Sequence, residues 1–147
     1  MSVEENKNIL QRIWEEAFNE GNIEIIDELY TADFIYHGPG GYEIKGREGL
    51  KKLVTMLHTS FTDLHFTVDN LIAEADKVVS VWTMRGKYKG NKQVTNPGII
   101  VSQIVDGKVT EDWEIYDRLY LAQQVSPGWI AKAMVNSIAK QTTKDLP

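Results

Sequence analysis

The residues of this chain best placed to do chemistry are two carboxylates near the end of one predicted strand. Side chains alternate across a strand. Over Lys108 to Tyr116 this puts Val109, Glu111, Trp113, Ile115 and, just beyond, Asp117 on one face. Thr110, Asp112, Glu114, Tyr116 and Arg118 fall on the other. The first set holds most of the apolar bulk and is expected to face the interior, with Glu111 and Asp117 on the buried side. A buried carboxylate is costly unless it is paired, hydrogen-bonded or neutral. Desolvation alone can raise its pKa by up to about 3–5 units. Such an acid exchanges protons near neutrality, and general acid–base catalysis contributes roughly 10²–10⁴-fold. Asp117 is therefore the candidate catalytic group. It also has the type and place of an N-cap for a short helix starting near Arg118. A backbone hydrogen bond in that role would lower its pKa and oppose a general-acid role. Glu111 reads as a paired structural carboxylate, or as one exposed where the strand twists.

Other candidates are sparser. His37 ends an earlier strand beside Gly38-Pro39-Gly40-Gly41, where it could orient a ligand, relay a proton or simply bond the loop backbone. Arg85, if it faces inward, could pair with a substrate carboxylate or with Asp117; otherwise it is a surface arginine and its neighbour Trp82 lines the core. Gln103 faces the same choice. His58 and His65 read as surface residues. Three widely spaced histidines without HExxH give little support for a metal. The glycine loop lacks the Lys-Ser/Thr ending of a phosphate cradle, and no G-x-S-x-G elbow supports acyl transfer.

The elements that must position these residues follow from periodicity. Ser2 and Glu5 form a capping-box pattern ahead of an apolar stripe through Ile9, Leu10, Ile13, Trp14, Ala17 and Phe18, and Gly21 ends that helix. Asn22 can cap a second, short helix carrying Ile25, Ile26 and Leu29. Phe34 to His37 reads as a strand, and Arg47 to Phe61 as a third helix. Long strands are then expected over His65–Ala73, Val78–Tyr88, about Thr95–Val105 and Lys108–Tyr116. On the first of these, Phe66, Val68, Asn70 and Ile72 are expected on one face. Asp106-Gly107 marks a type I′ hairpin. A last helix is expected from Gly128 to Lys140. Runs of helices followed by antiparallel strands imply an α+β fold in which helices collect on one side of a curved sheet. The mouth of the resulting cone is a natural ligand site.

Composition narrows the classes further. The 147 residues suit a single domain, 1–147, with a helical extension at about 127–141. A net charge of −5 argues against a phosphate-binding face, so no nucleic-acid partner is expected. The absence of cysteine excludes disulfides, thiolate catalysis and cysteine-based zinc sites. No apolar run reaches the roughly 20 residues that cross a bilayer, and the N-terminus has no signal-peptide core. A cytoplasmic location is expected by default.

The ending GKVTEDWEIYDRLYLAQQV resembles that of the SnoaL-like polyketide cyclases, a branch of the nuclear-transport-factor-2-like superfamily. The matching residues are Gly107, Lys108, Val109, Glu111, Trp113, Asp117 and Gln124. Upstream, the F-N-E-G-N that ends the first helix, Tyr36-His37, Gly46-Arg47-Glu48-Gly49 and Arg85-Gly86 are also similar. Val125-Ser126 replaces the family's Leu-Gly, and the Trp129 helix extends beyond the motif. The resemblance implies a cone-shaped α+β barrel, a homodimer formed through the sheet, and neither metal nor organic cofactor. It also implies that Asp117 removes a proton next to a carbonyl and promotes aldol-type ring closure or a related isomerisation of a small hydrophobic molecule. His37 would then be a second catalytic residue, and Arg85, Gln103, Trp82, Trp113 and Trp14 would contact substrate. The same fold also serves non-catalytic small-molecule binding modules, and that alternative stays open.

Overall fold

The computed structural model describes residues 1–130, 132, 133, 136 and 137. The capping box forms as expected: the Ser2 hydroxyl accepts from Glu5 N–H, and the Glu5 carboxylate accepts from Ser2 N–H. It starts α1 (Val3–Arg12), which continues without a break into a π-helical segment, Ile13–Asn19. The wider turn gives i→i−5 bonding, as in Glu20 N–H to Glu15 O at 2.9 Å. Ile13, Trp14 and Ala17 are buried on its sheet-facing side. Asn22 bonds the Glu24 N–H ahead of α2 (Glu24–Leu29).

Strand β1 (Tyr30–His37) follows and is longer than its aromatic core suggested. A single 3₁₀ turn at Pro39–Gly41 leads to a short strand, β2 (Glu43–Lys45), which periodicity did not reveal because three residues are too few to show it. Then come α3 (Gly46–Ser60), β3 (Phe61–Glu74), β4 (Lys77–Tyr88), β5 (Lys92–Val105), β6 (Lys108–Tyr116) and α4 (Arg118–Val125). The extension expected at about 127–141 is helical at 128–130, and much of the remainder lies outside the described residues.

The six strands form one sheet in the order β2-β1-β6-β5-β4-β3. It is mixed: β1 runs parallel to β6, whereas every other pairing is antiparallel. The first helices and α3 cover its inner face, and Phe34, Ile13, Ile26, Leu50, Val54, Val78, Val94 and Val109 are fully buried between them. Asn19 ties helix to sheet, donating to Phe66 O at 3.0 Å and accepting from Phe66 N–H at 2.7 Å.

Register decides which side chains enter the interior. Ile104 pairs with Val109, but Gln103 pairs with Glu111, so Thr110 is an extra residue in β6. A one-residue bulge changes the face presented by every residue beyond it. Val109 is buried, and past the bulge Asp112, Glu114 and Tyr116 point inward while Trp113 and Ile115 are 37% and 76% exposed. The inward facing expected for Glu111 and Asp117 is therefore corrected. A second bulge at Asp69 does the same in β3: Val68 and Leu71 pack on the core, and Ile72 is 60% exposed. On β4 the inward set is Val78, Ser80, Trp82 and Met84.

Trp82 lies across the sheet from Gly98. A Cβ at Gly98 would stand 2.1 Å from the Trp82 ring. Gly98→Ala must therefore displace the indole, and a loss of about 1–3 kcal/mol is expected from overpacking. Urea denaturation of the variant measures it.

Candidate functional site

The interior encloses a cavity of about 90 Å³ between the helices and the inner face of the sheet. Leu10, Ile13, Trp14 and Phe18 from the first helix form one wall, and Leu50, Leu53 and Leu57 of α3 form another. The sheet supplies Trp82, Met84, Asn96, Ile100, Ser102, Asp112, Glu114 and Tyr116. Tyr30, Tyr36, Tyr42, Phe61, Phe66 and Leu121 complete the lining. The aromatic rings form a continuous shell: Trp14 lies 5.1 Å from Phe18, 5.4 Å from Phe66 and 6.1 Å from Trp82, and Trp82 lies 6.2 Å from Tyr116.

Two acids stand in this apolar surround, two residues apart on β6 and hence about 7 Å apart along the strand. Burial pushes the Asp112 carboxyl up to about 8; the nearby Ser102 hydroxyl opposes the shift and the Glu114 charge adds to it. Burial likewise raises Glu114 to about 7, against the stabilising influence of the Tyr36 hydroxyl and the Trp82 indole. Tyr36 donates a short hydrogen bond to Glu114 Oε2, and the Tyr42 hydroxyl donates to Tyr36 Oη at 3.2 Å. Tyr42 is 37% exposed, so this chain of hydroxyls runs from the surface to the part-buried Glu114 carboxylate. Burial and the Glu114 charge raise the Tyr36 phenol far above its ordinary range, keeping it a donor. Several polar atoms have no partner of good geometry: Asp112 Oδ1, Asn96 Oδ1, Ser102 Oγ, and the indole nitrogens of Trp14 and Trp82. Buried polar atoms are rarely left so, and all five belong to residues that line the cavity.

Of the residues singled out from sequence, Trp14 and Trp82 line this cavity and the other five do not. Asp117 is exposed, and its Oδ1 accepts the Tyr120 N–H at 2.9 Å as the N-cap of α4. His37 points to the outer face, where Nε2 lies 2.6 Å from Glu111 Oε1 and Nδ1 lies 3.3 Å from Glu43. Its ring stacks on Trp113 at 5.5 Å. Arg85 is exposed because it alternates with the buried Met84 and Gly86. Gln103 bonds Asp76 at 2.9 Å on the outer side. The residues that sequence reasoning passed over are Asp112, Glu114, Tyr36, Tyr42, Asn96 and Ser102. Their one visible signal was the alternation of Asp112, Glu114 and Tyr116, but ranking faces by apolar content selects the opposite side. Among the described residues no cluster of His, Asp or Glu could hold a metal ion, and no helix is long and apolar enough to cross a membrane.

Comparison with solved structures places this architecture among known folds. A candidate polyketide cyclase from Bacillus cereus ATCC 10987 is 30% identical, with a TM-score of 0.74 over 82% of this chain and 79% of that one. Another, from Acidithiobacillus ferrooxidans, is 30% identical, with a TM-score of 0.71 over 85% of this chain and 97% of that one. A protein of ketosteroid isomerase-like fold from Catenulispora acidiphila DSM 44928, solved in complex with trimethylamine, shares the fold at 19% identity. Its TM-score is 0.71, over 79% of this chain and 90% of that one. A search of curated proteins finds no significant match. The model of the SnoaL-like polyketide cyclases matches residues 8–125, from α1 through the whole sheet to the end of α4. With helices, sheet and enclosed cavity all inside that match, the chain belongs to the SnoaL-like polyketide cyclase family.

Proposed function

We propose that the protein is a cofactor-independent acid/base enzyme that moves a proton next to the carbonyl of a compact hydrophobic molecule. The outcome would be ring closure of the aldol type or a related isomerisation. The observation that carries this reading is the pair Glu114 and Asp112, the first part-buried and the second fully buried, lining an aromatic cavity with raised pKa values. Burial raises both acids toward neutrality, Asp112 further than Glu114, so Glu114 is the group that ionises first and can accept a proton, and Asp112 the one that keeps a proton to donate to a developing enolate. The Tyr42–Tyr36 chain connects Glu114 to solvent for proton return. Asp117, the aspartate at the family's catalytic position, adjoins the cavity through its neighbour Tyr116, but its carboxylate is already engaged as a helix cap. The proton-transfer role is therefore assigned to Glu114. A cavity of about 90 Å³ favours small guests, since an engineered cavity of roughly 150 Å³ takes up benzene. The test is exchange of α-hydrogens for deuterium, followed by NMR, in a panel of small cyclic ketones and enones. Exchange above the buffer rate supports the reading, and its absence across the panel overturns it.

The protein is also proposed to form a homodimer through the outer face of the sheet. Ile99 and Ile115 are cross-strand partners there, 48% and 76% exposed, and Val101 pairs with the part-exposed Trp113 beside them. A contiguous exposed apolar patch of this kind marks an interaction surface. Ile115→Lys is expected to shift the sedimentation coefficient from dimer to monomer. A monomeric wild type would overturn the proposal.

A further inference from the structure

We propose that the cavity has a second class of ligand, a compact organic ammonium ion, held between its aromatic walls and the Glu114–Asp112 pair. This shares with the proposed reaction only the premise that the cavity takes ligands. It concerns what competes with the substrate and needs no turnover.

The charge balance of the lining is the first observation. Two carboxylates enter the cavity, and among the described residues that line it there is no lysine, arginine or histidine. In the salt bridges among the described residues neither Asp112 nor Glu114 takes part. Buried charges are normally paired, and burial here favours the protonated form of both acids over the charged one. A cation in the cavity would take the place of those protons. The second observation is the wall. Trp14, Trp82, Phe66 and Tyr116 form linked aromatic neighbours around the acids, and aromatic faces attract cations most strongly where water is excluded. The third is the unpartnered Asp112 Oδ1, on a side chain 3% exposed that lines the cavity. Size is the fourth: about 90 Å³ suits a methylated ammonium group and excludes extended cations.

A neutral carbonyl compound can accept from the orphan donors, the Ser102 hydroxyl and the Trp14 and Trp82 indoles, but leaves the carboxylates uncompensated. An ammonium ion compensates them and releases protons on binding, so the two guests are distinguished by charge and by pH. The titratable groups facing the pair are the hydroxyls of Tyr30, Tyr36, Tyr42 and Tyr116. Burial raises the phenols of Tyr30, Tyr36 and Tyr116, so these three do not ionise in the same range.

The experiment is calorimetric titration of the full chain with tetramethylammonium chloride and with tert-butanol, its neutral counterpart of similar shape, at pH 5.5, 7 and 8.5 and constant ionic strength. The cation is expected to bind at least tenfold more tightly than the alcohol at pH 8.5. Its affinity is expected to fall at least tenfold by pH 5.5, while that of the alcohol stays level. Glu114→Gln and Asp112→Asn should each weaken the cation severalfold and leave the alcohol within twofold. If one variant loses its near-ultraviolet circular dichroism, the other variant and the wild-type pH series decide. Equal or weaker binding of the cation at pH 8.5, or a pH-independent affinity, overturns the inference and leaves the proposed reaction standing. Failure of both ligands to bind at any pH overturns the inference together with the reading of the cavity as a ligand site.

Discussion

Glu114→Gln is expected to lower turnover of a confirmed substrate about 10²–10⁴-fold, the usual contribution of a positioned general base. The substitution keeps the shape of the side chain and an acceptor for the Tyr36 hydroxyl, so thermal stability near pH 7 should change little. The wild-type profile of kcat/KM against pH should be bell-shaped. Its acid limb reflects Glu114, which must be ionised and titrates at about 7; its alkaline limb reflects Asp112, which must be protonated and titrates at about 8. Because the two carboxyls interact, the limbs report the pair together. Tyr36→Phe sharpens the test. The Tyr36 hydrogen bond holds the Glu114 pKa down, so its loss should move the acid limb to higher pH. Steady-state rates across pH 5 to 10 check all three. A Glu114→Gln enzyme working at the wild-type rate would exclude Glu114 as the proton shuttle, while equal loss in Asp117→Asn would return the role to the family's position.

The second large effect is on stability. Asp112 is fully buried and titrates at about 8 in the folded chain, against an ordinary value near 4. The native state therefore holds this proton more tightly than the unfolded chain does. Its stabilising influence is complete below about pH 4 and is lost as pH rises through the folded value near 8. Glu114 acts in the same sense up to about 7. Asp112→Asn removes the ionisation, so the variant should match the wild type near pH 5 and exceed it at pH 9 by roughly 3–5 kcal/mol. Urea unfolding at the two pH values measures the difference. The opposite behaviour belongs to exposed carboxylates. The Lys51 hydrogen bond holds Asp27 below its ordinary pKa, and Arg12 does the same for Glu28. Their contribution is present above the normal carboxylate range and fades on acidification, in a separate window. As surface pairs they contribute little to it.

The sequence by itself determined the order of elements in this protein. Capping at Ser2, the 3.6-residue stripe through Trp14, the Asp106-Gly107 turn and the long alternating strands are local features, written in neighbouring residues. They were enough for an α+β chain with helices gathered on one face of a curved sheet. The family was legible for the same reason, since its motif is carried by contiguous residues ending in α4. The capping role of Asp117 was also readable, because an N-cap depends only on the next three residues.

Which carboxylates enter the interior was decided by the tertiary structure alone. Alternation is a relative rule: it sorts side chains into two sets without saying which set is inside. Apolar content breaks the tie only where one face meets water, and both faces of β6 carry apolar residues: Val109 buried in the core, Trp113 and Ile115 on the outer patch. The bulge at Thr110, visible only when β6 is paired with β5, then reverses the facing beyond it. That one residue carries Asp117 out to the rim and brings Asp112 and Glu114 into the cavity. Trp14 and Trp82 reach the same cavity from distant parts of the chain, through helix-on-sheet packing that no local pattern encodes.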